Sequence, residues 1–118
     1  MDRSMQYLFV GERKSPTALL RGWSWEDGRL AAKQLFDALD VVGVDPQACL
    51  FRNAFDPGSL SYIREKQQDG WLVVAMGAKA QRELERHAIP FRPMVHPAAR
   101  GAIRRKDRYT AHVQEVLA

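Results

Sequence analysis

One cysteine, Cys49, in 118 residues removes several classes of protein at once. It excludes a disulfide framework within the chain and any metal or cluster site built from four cysteines. With only three histidines beside it, a mononuclear zinc site has no supporting spacing, so neither a metal nor another cofactor is expected. Such cysteine usage suits a reducing compartment, and a cytoplasmic location is expected. No apolar run approaches the ~20 residues of a membrane span. The opening Met1-Asp2-Arg3-Ser4 has no apolar stretch ahead of a small-residue cleavage site, so no signal peptide and no membrane partner are expected. Repeats, low-complexity tracts and linkers are missing too, which predicts a single domain over residues 1–118 and a monomer. Apolar residues at 46% and charged residues at 27% are enough for an ordered core.

Charge is uneven along the chain. The net charge is +4 and the pI near 9.6. Residues 92–108 hold six cations (Arg92, Arg100, Arg104, Arg105, Lys106 and Arg108) against Asp107 alone, so this stretch carries +5 and the remainder −1. A basic strip of this kind suits a polyanion, of which nucleic acid is the commonest, and equally a solvated helix face without a partner.

An order recurs along the sequence: a short apolar run, turn residues, then a segment of helical period. The runs are Tyr7-Leu8-Phe9-Val10 before Gly11, Cys49-Leu50-Phe51 toward Asn53, and Trp71 to Met76 before Gly77. A weaker run, Phe91 to Val95, contains Pro93 and therefore belongs at a sheet edge. Ala31, Leu35 and Leu39, with Phe36, predict a helix from Asp27 or Gly28 to about Val41, with Asp27 as its cap. Further helices are predicted over Ser59 to Gln68, Ala78 to His87 and Asp107 to Leu117. Four strand-then-helix units predict an α/β fold, a three-layer α/β/α sandwich on a mostly parallel four-stranded sheet.

In open parallel sheets ligands bind outside the carboxyl ends of the strands. Glu12, Asn53 and His96 follow three of the runs and therefore stand along one edge. A carboxylate offers a base or an electrostatic partner, an amide can read a nucleobase edge, and an imidazole can donate to developing charge. Each also has a plain alternative: a loop carboxylate beside Arg13 and Lys14, a turn asparagine before Asp56-Pro57-Gly58, and a surface histidine before Pro97. Trp23 and Trp25 suit stacking on a base as well as core packing. His87 and His112 fall on helices as ordinary surface residues.

Taken in order, these segments resemble the uracil-DNA glycosylase superfamily, nearest to bacterial and archaeal members whose first motif begins Gly-Glu. The residues that carry the resemblance are Val10-Gly11-Glu12, Trp25-Glu26-Asp27-Gly28, Phe51-Arg52-Asn53, Val74-Ala75-Met76-Gly77-Ala78-Lys79-Ala80 and Val95-His96-Pro97-Ala98. The resemblance implies a uracil-DNA glycosylase-like fold and a DNA partner, single- or double-stranded, with a pyrimidine flipped into the crevice for base excision. It implies that Trp25 or Trp23 stacks on that base, that Asn53 bonds its edge, and that Glu12 and His96 act in catalysis. Arg100, Arg104, Arg105, Lys106 and Arg108 then lie against phosphates. The chain departs from the family's pattern in reading Arg13-Lys14-Ser15-Pro16 after Gly-Glu, in lacking the iron–sulfur cysteines, and in carrying Ala99-Arg100-Gly101 where a bulky apolar wedge is usual. Two other readings stay open: a catalytically weak module that binds DNA or a nucleobase, and a small α/β domain whose partner is a protein.

Overall fold

The computed structural model describes residues 5–118. Four strands form one all-parallel sheet: β1 (Tyr7–Gly11), β2 (Leu50–Asn53), β3 (Leu72–Met76) and β4 (Arg92–Met94), in the order β2-β1-β3-β4. Five helices accompany them: α1 (Pro16–Arg21), α2 (Ala31–Val42), α3 (Ser59–Gln68), α4 (Ala78–Arg86) and α5 (Lys106–Leu117). The expected three-layer α/β architecture is what the chain adopts, with every strand pairing parallel. Pro93 does lie on an edge strand, where its missing N–H costs no ladder bond.

Alternation along β1 divides the core. Tyr7 and Phe9 point to the layer of α2 and α5, where Leu35, Leu39, Tyr109, Val113 and Leu117 meet them. Leu8 and Val10 point to the opposite layer, against Ile63 of α3 and Ala80 and Leu84 of α4. Both faces are covered, so β1 and β3 read as continuous apolar runs rather than alternating ones. Burying a side chain such as Phe9 or Leu84 completely is worth roughly 1.5–3 kcal/mol.

The start of α2 differs from expectation. Trp25–Asp27 is a separate 3-10 turn, Gly28 is left-handed, and α2 begins only at Ala31. Asp27 does not cap α2. Its carboxylate instead accepts the Ser24 N–H at 2.7 Å, closing the short turn on itself. The six-residue α1 had no apolar period to announce it. Ser15 at its cap, Pro16 at its first position and left-handed Gly22 at its end define it, and it buries none of its side chains.

The connection out of β1 runs through α2 on one face of the sheet, whereas the connection out of β3 runs through α4 on the other. The neighbouring carboxyl ends of β1 and β3 are therefore the topological switch point, where a crevice opens.

Candidate functional site

Glu12 follows β1 at this switch point. Beyond the strands the pairing of β1 and β2 continues, with Ala54 N–H donating to Gly11 O at 2.8 Å and Phe55 N–H to Glu12 O at 3.0 Å. This extension carries Asn53 alongside Gly11 and fixes the backbone that bears Glu12. Across the switch point, Lys79 at the start of α4 approaches Glu12 with Nζ to Oε1 at 3.9 Å. Both groups are solvated, so the pair contributes little to stability.

His96 closes the other side. Its Nδ1 accepts the N–H of Ala98 at 3.0 Å, which leaves Nε2 to carry the proton of the neutral ring. Burial pushes its pKa below the ordinary 6.5, and the nearby Glu12 carboxylate pulls the other way. The imidazole is thus held neutral, with one N–H donor. Gly77 sits against it: a Cβ on Gly77 would lie 3.2 Å from the His96 Cβ, and φ of 91° already disfavours any side chain there.

Trp25 lies between these groups. Its indole stacks on Phe51 with ring centres 6.3 Å apart, faces the His96 ring at 6.2 Å, and donates from Nε1 to Asn53 Oδ1 at 2.8 Å. The remaining Asn53 amide nitrogen leans on Asp56 Oδ2 at 3.5 Å. Asn53 is 5% exposed, so its amide is turned toward Trp25 and Asp56 and not toward open solvent. Trp23 remains on the wall of the crevice, with the guanidinium groups of Arg21 and Arg29 within 6 Å of its ring.

A pocket of about 340 Å³ is lined by Trp23, Trp25, Asn53 and His96 together with Arg13, Lys14 and Arg29, whereas Glu12 is not part of its lining. A second pocket of about 570 Å³ shares Leu30, Ala31 and Ala98 with the first, so the two form one groove. Lys33, Arg100, Arg104 and Lys106 line that continuation, and Asp37 is the one carboxylate in either pocket's lining. Lys33 and Lys106 hold Asp37 at 2.9 and 3.1 Å and lower its pKa, Lys33 most. Gln34 donates to the Arg104 carbonyl at 3.1 Å and ties this loop to α2.

The structure divides the basic strip. Arg100, Arg104 and Lys106 line the groove; Arg105 and Arg108 are exposed nearby in sequence, with Arg105 beside Asp107 at 3.5 Å. Arg92 does not belong with them. Its guanidinium donates to the carbonyls of Val116 and Ala118 at the end of α5. His112 is also no ordinary surface residue: its Nε2 accepts the N–H of Val95 at 3.0 Å, one residue before His96. Only the helical spacing of Tyr109 and His112 hinted at a shared task. His87, by contrast, is half exposed beside Glu83, at the opposite end of α4 from Gly77.

Among the described residues no group of three or more His, Cys, Asp or Glu is placed to hold a metal ion, and no helix is long and apolar enough to cross a membrane. Compared with known proteins, the chain matches no family model and no curated sequence.

Proposed function

We propose that this chain binds DNA along the basic groove and hydrolyses the N-glycosidic bond of uracil or a modified pyrimidine held in the adjoining crevice. The observation that carries this reading is the neutral His96 imidazole, its Nδ1 occupied by Ala98 and its Nε2–H left as a donor beside Glu12. A base turned out of the DNA stack enters a pocket whose size falls within the range of small-ligand sites. The bond between the sugar carbon and the ring nitrogen then breaks, and its electron pair stays on the base. His96 Nε2–H donates to the carbonyl oxygen where that negative charge collects. Glu12 faces the cationic sugar and orients the water that adds to it; the water's proton leaves by way of the carboxylate to solvent, and solvent reprotonates the base.

The rim supports the DNA side of the reading. Arg13, Lys14 and Arg29 at one end and Arg100, Arg104 and Lys106 at the other give a phosphate backbone a continuous track.

A second reading, binding without cleavage, is favoured by one specific contact. The Trp25 indole already holds one acceptor site of Asn53 Oδ1 and Asp56 draws on its amide nitrogen, so a base meets a partly engaged amide. Labelled oligonucleotides that contain uracil or modified pyrimidines decide between them. The first reading expects alkali-labile abasic sites from the wild-type protein, and a loss of single-turnover rate on the order of 10²–10³ in His96→Ala with DNA affinity kept. Salt-dependent DNA binding without abasic product supports the second reading. No DNA binding at all removes both and leaves a protein partner.

A further inference from the structure

β4 pairs with β3 alone, and no strand among the described residues lies along its outer side. Past the end of β4 that outer pairing is supplied by side chains. The Val95 N–H donates to His112 Nε2 at 3.0 Å, and the Val95 carbonyl accepts from the Tyr109 hydroxyl at 3.1 Å. Tyr109 and His112 stand three residues apart on α5, on one side of the helix, with ring centres 6.2 Å apart. Together they satisfy both backbone groups of one residue, as a neighbouring strand does. Burial raises the Tyr109 pKa well above its ordinary value, so the phenol keeps the proton that it donates. His112 can accept only while its Nε2 is bare, which places its own proton on Nδ1.

We infer that His112, together with Tyr109, is the positioning residue for His96: the clamp on Val95 sets the peptide that joins residues 95 and 96, and through it the direction of the imidazole in the crevice. This rests on the role proposed for His96. The imidazole is otherwise fixed at its root by Gly77, through the close approach to Cβ, and at Nδ1 by the Ala98 N–H. Both contacts leave the ring free to follow any shift of its own backbone. The Val95 clamp opposes that shift, and it does so from α5, a layer packed against the sheet through Tyr109, Val113 and Leu117. A reacting group displaced by about 1 Å costs on the order of 10²-fold in rate, so a clamp one residue away has the leverage to matter.

Two variants test the inference in the full chain. His112→Phe keeps a flat ring and removes the acceptor; His112→Gln keeps an acceptor of similar reach. In the free protein, NMR follows the exchange of the Val95 amide and the ring nitrogens of His96. His112→Phe is expected to speed Val95 exchange about tenfold, as loss of one hydrogen bond allows, and to blur the single His96 tautomer. His112→Gln is expected to restore both. In cleavage assays the Phe variant loses rate on the order of 10²-fold at unchanged DNA affinity, and the Gln variant recovers it. Unchanged Val95 exchange and unchanged His96 signals in the Phe variant overturn the inference, whatever cleavage does. Absence of cleavage in wild type removes the glycosylase reading alone, because the NMR readouts need no substrate. If His112→Phe does not fold, Tyr109→Phe removes only the hydroxyl at the Val95 carbonyl, and the same two signals decide.

Discussion

Gly11→Ala probes the packing of the crevice without touching a titratable group. A Cβ at this position would stand 2.8 Å from Trp25 Cζ2 and 3.0 Å from Asn53 Oδ1. Carbon atoms prefer to meet at 3.5–4.0 Å, so the indole must retreat by about 0.7 Å or the strand must bend. Neither move is free. The ring is stacked on Phe51, itself in the core, and is tied to Asn53 by a 2.8 Å hydrogen bond. Overpacking of this kind costs roughly 1–3 kcal/mol, and weakening the hydrogen bond adds up to about 1 kcal/mol. Loss of glycine's freedom in the unfolded chain offsets up to about 1 kcal/mol. A net destabilisation of about 1–3 kcal/mol follows, which at about 4 °C per kcal/mol lowers Tm by roughly 4–12 °C. Thermal and urea unfolding, read by far-ultraviolet circular dichroism and tryptophan emission, measure it. The double-mutant cycle with Trp25→Ala supplies the control: once the indole is gone the alanine has room, so the two costs fall short of additivity by at least about 1 kcal/mol. A Gly11→Ala protein as stable as wild type, or one whose cost is unchanged in the Trp25→Ala background, would refute the close approach of strand and indole.

Three further outcomes are expected. Because the pKa of His96 is lower in the folded protein than the ordinary 6.5, the unfolded chain binds more protons between those two values. Stability therefore falls as pH drops below about 6.5 and levels off beneath the folded pKa; comparing urea midpoints of wild type and His96→Ala across pH 4–8 isolates this share, and identical pH slopes would contradict it. Cys49 is buried, and burial together with Asp45 pushes its pKa up to about 12, so iodoacetamide at pH 8 should label it only after denaturation; rapid native labelling would show an open site. Arg100 and Arg104 line the groove with no carboxylate paired to them among the described residues. Changing both to Ala should flatten the slope of log DNA affinity on log salt by about two units, while Arg92→Ala, whose guanidinium is spent on α5 carbonyls, should leave it unaltered. Equal slopes for all three proteins would detach the groove from phosphate binding.

What could be seen in the sequence depended on how local its cause was. The strands were visible because β1 and β3 are apolar on both faces and stop at glycines that serve the site, Gly11 beneath the Trp25 indole and Gly77 against His96. The edge position of β4 followed from Pro93. The helix α1 was invisible because Leu19 and Leu20 are exposed, so no buried stripe marks it. The beginning of α2 was misplaced because Asp27, a good cap by residue type, satisfies the nearer Ser24 N–H, while Leu30 enters the helix with φ of 56° and no side-chain cap. The basic strip was visible as charge, yet charge alone could not separate Arg92, which caps a helix end, from Arg104, which faces the groove.

The candidate site divides along the same line. Glu12, Asn53 and His96 were found by one rule, that residues just past parallel strands converge at the sheet's carboxyl edge, and that rule needs only strand positions. Their partners obey no such rule. Trp25 reaches Asn53 across 28 residues and His112 reaches Val95 across 17, each through a side chain whose direction is decided by which layer its element packs in. Residue type still constrains what those partners do. An indole can only donate, so Trp25 takes the acceptor of Asn53; a neutral imidazole bonded at Nδ1 can only donate from Nε2, so His96 keeps a proton for an incoming oxygen. One contact engages half of the amide's acceptor capacity and the other leaves the imidazole donor open. The crevice in its present form is therefore built to offer a hydrogen bond from His96 before it offers one from Asn53. A base that needs both acceptor sites of the amide carbonyl must displace the Trp25 indole, which weakens its stacking on Phe51. Trp25→Phe, which keeps an aromatic ring and frees Asn53 Oδ1, should tighten binding of any ligand read by that amide; weaker binding in this variant would show that the indole itself is the surface on which the ligand rests.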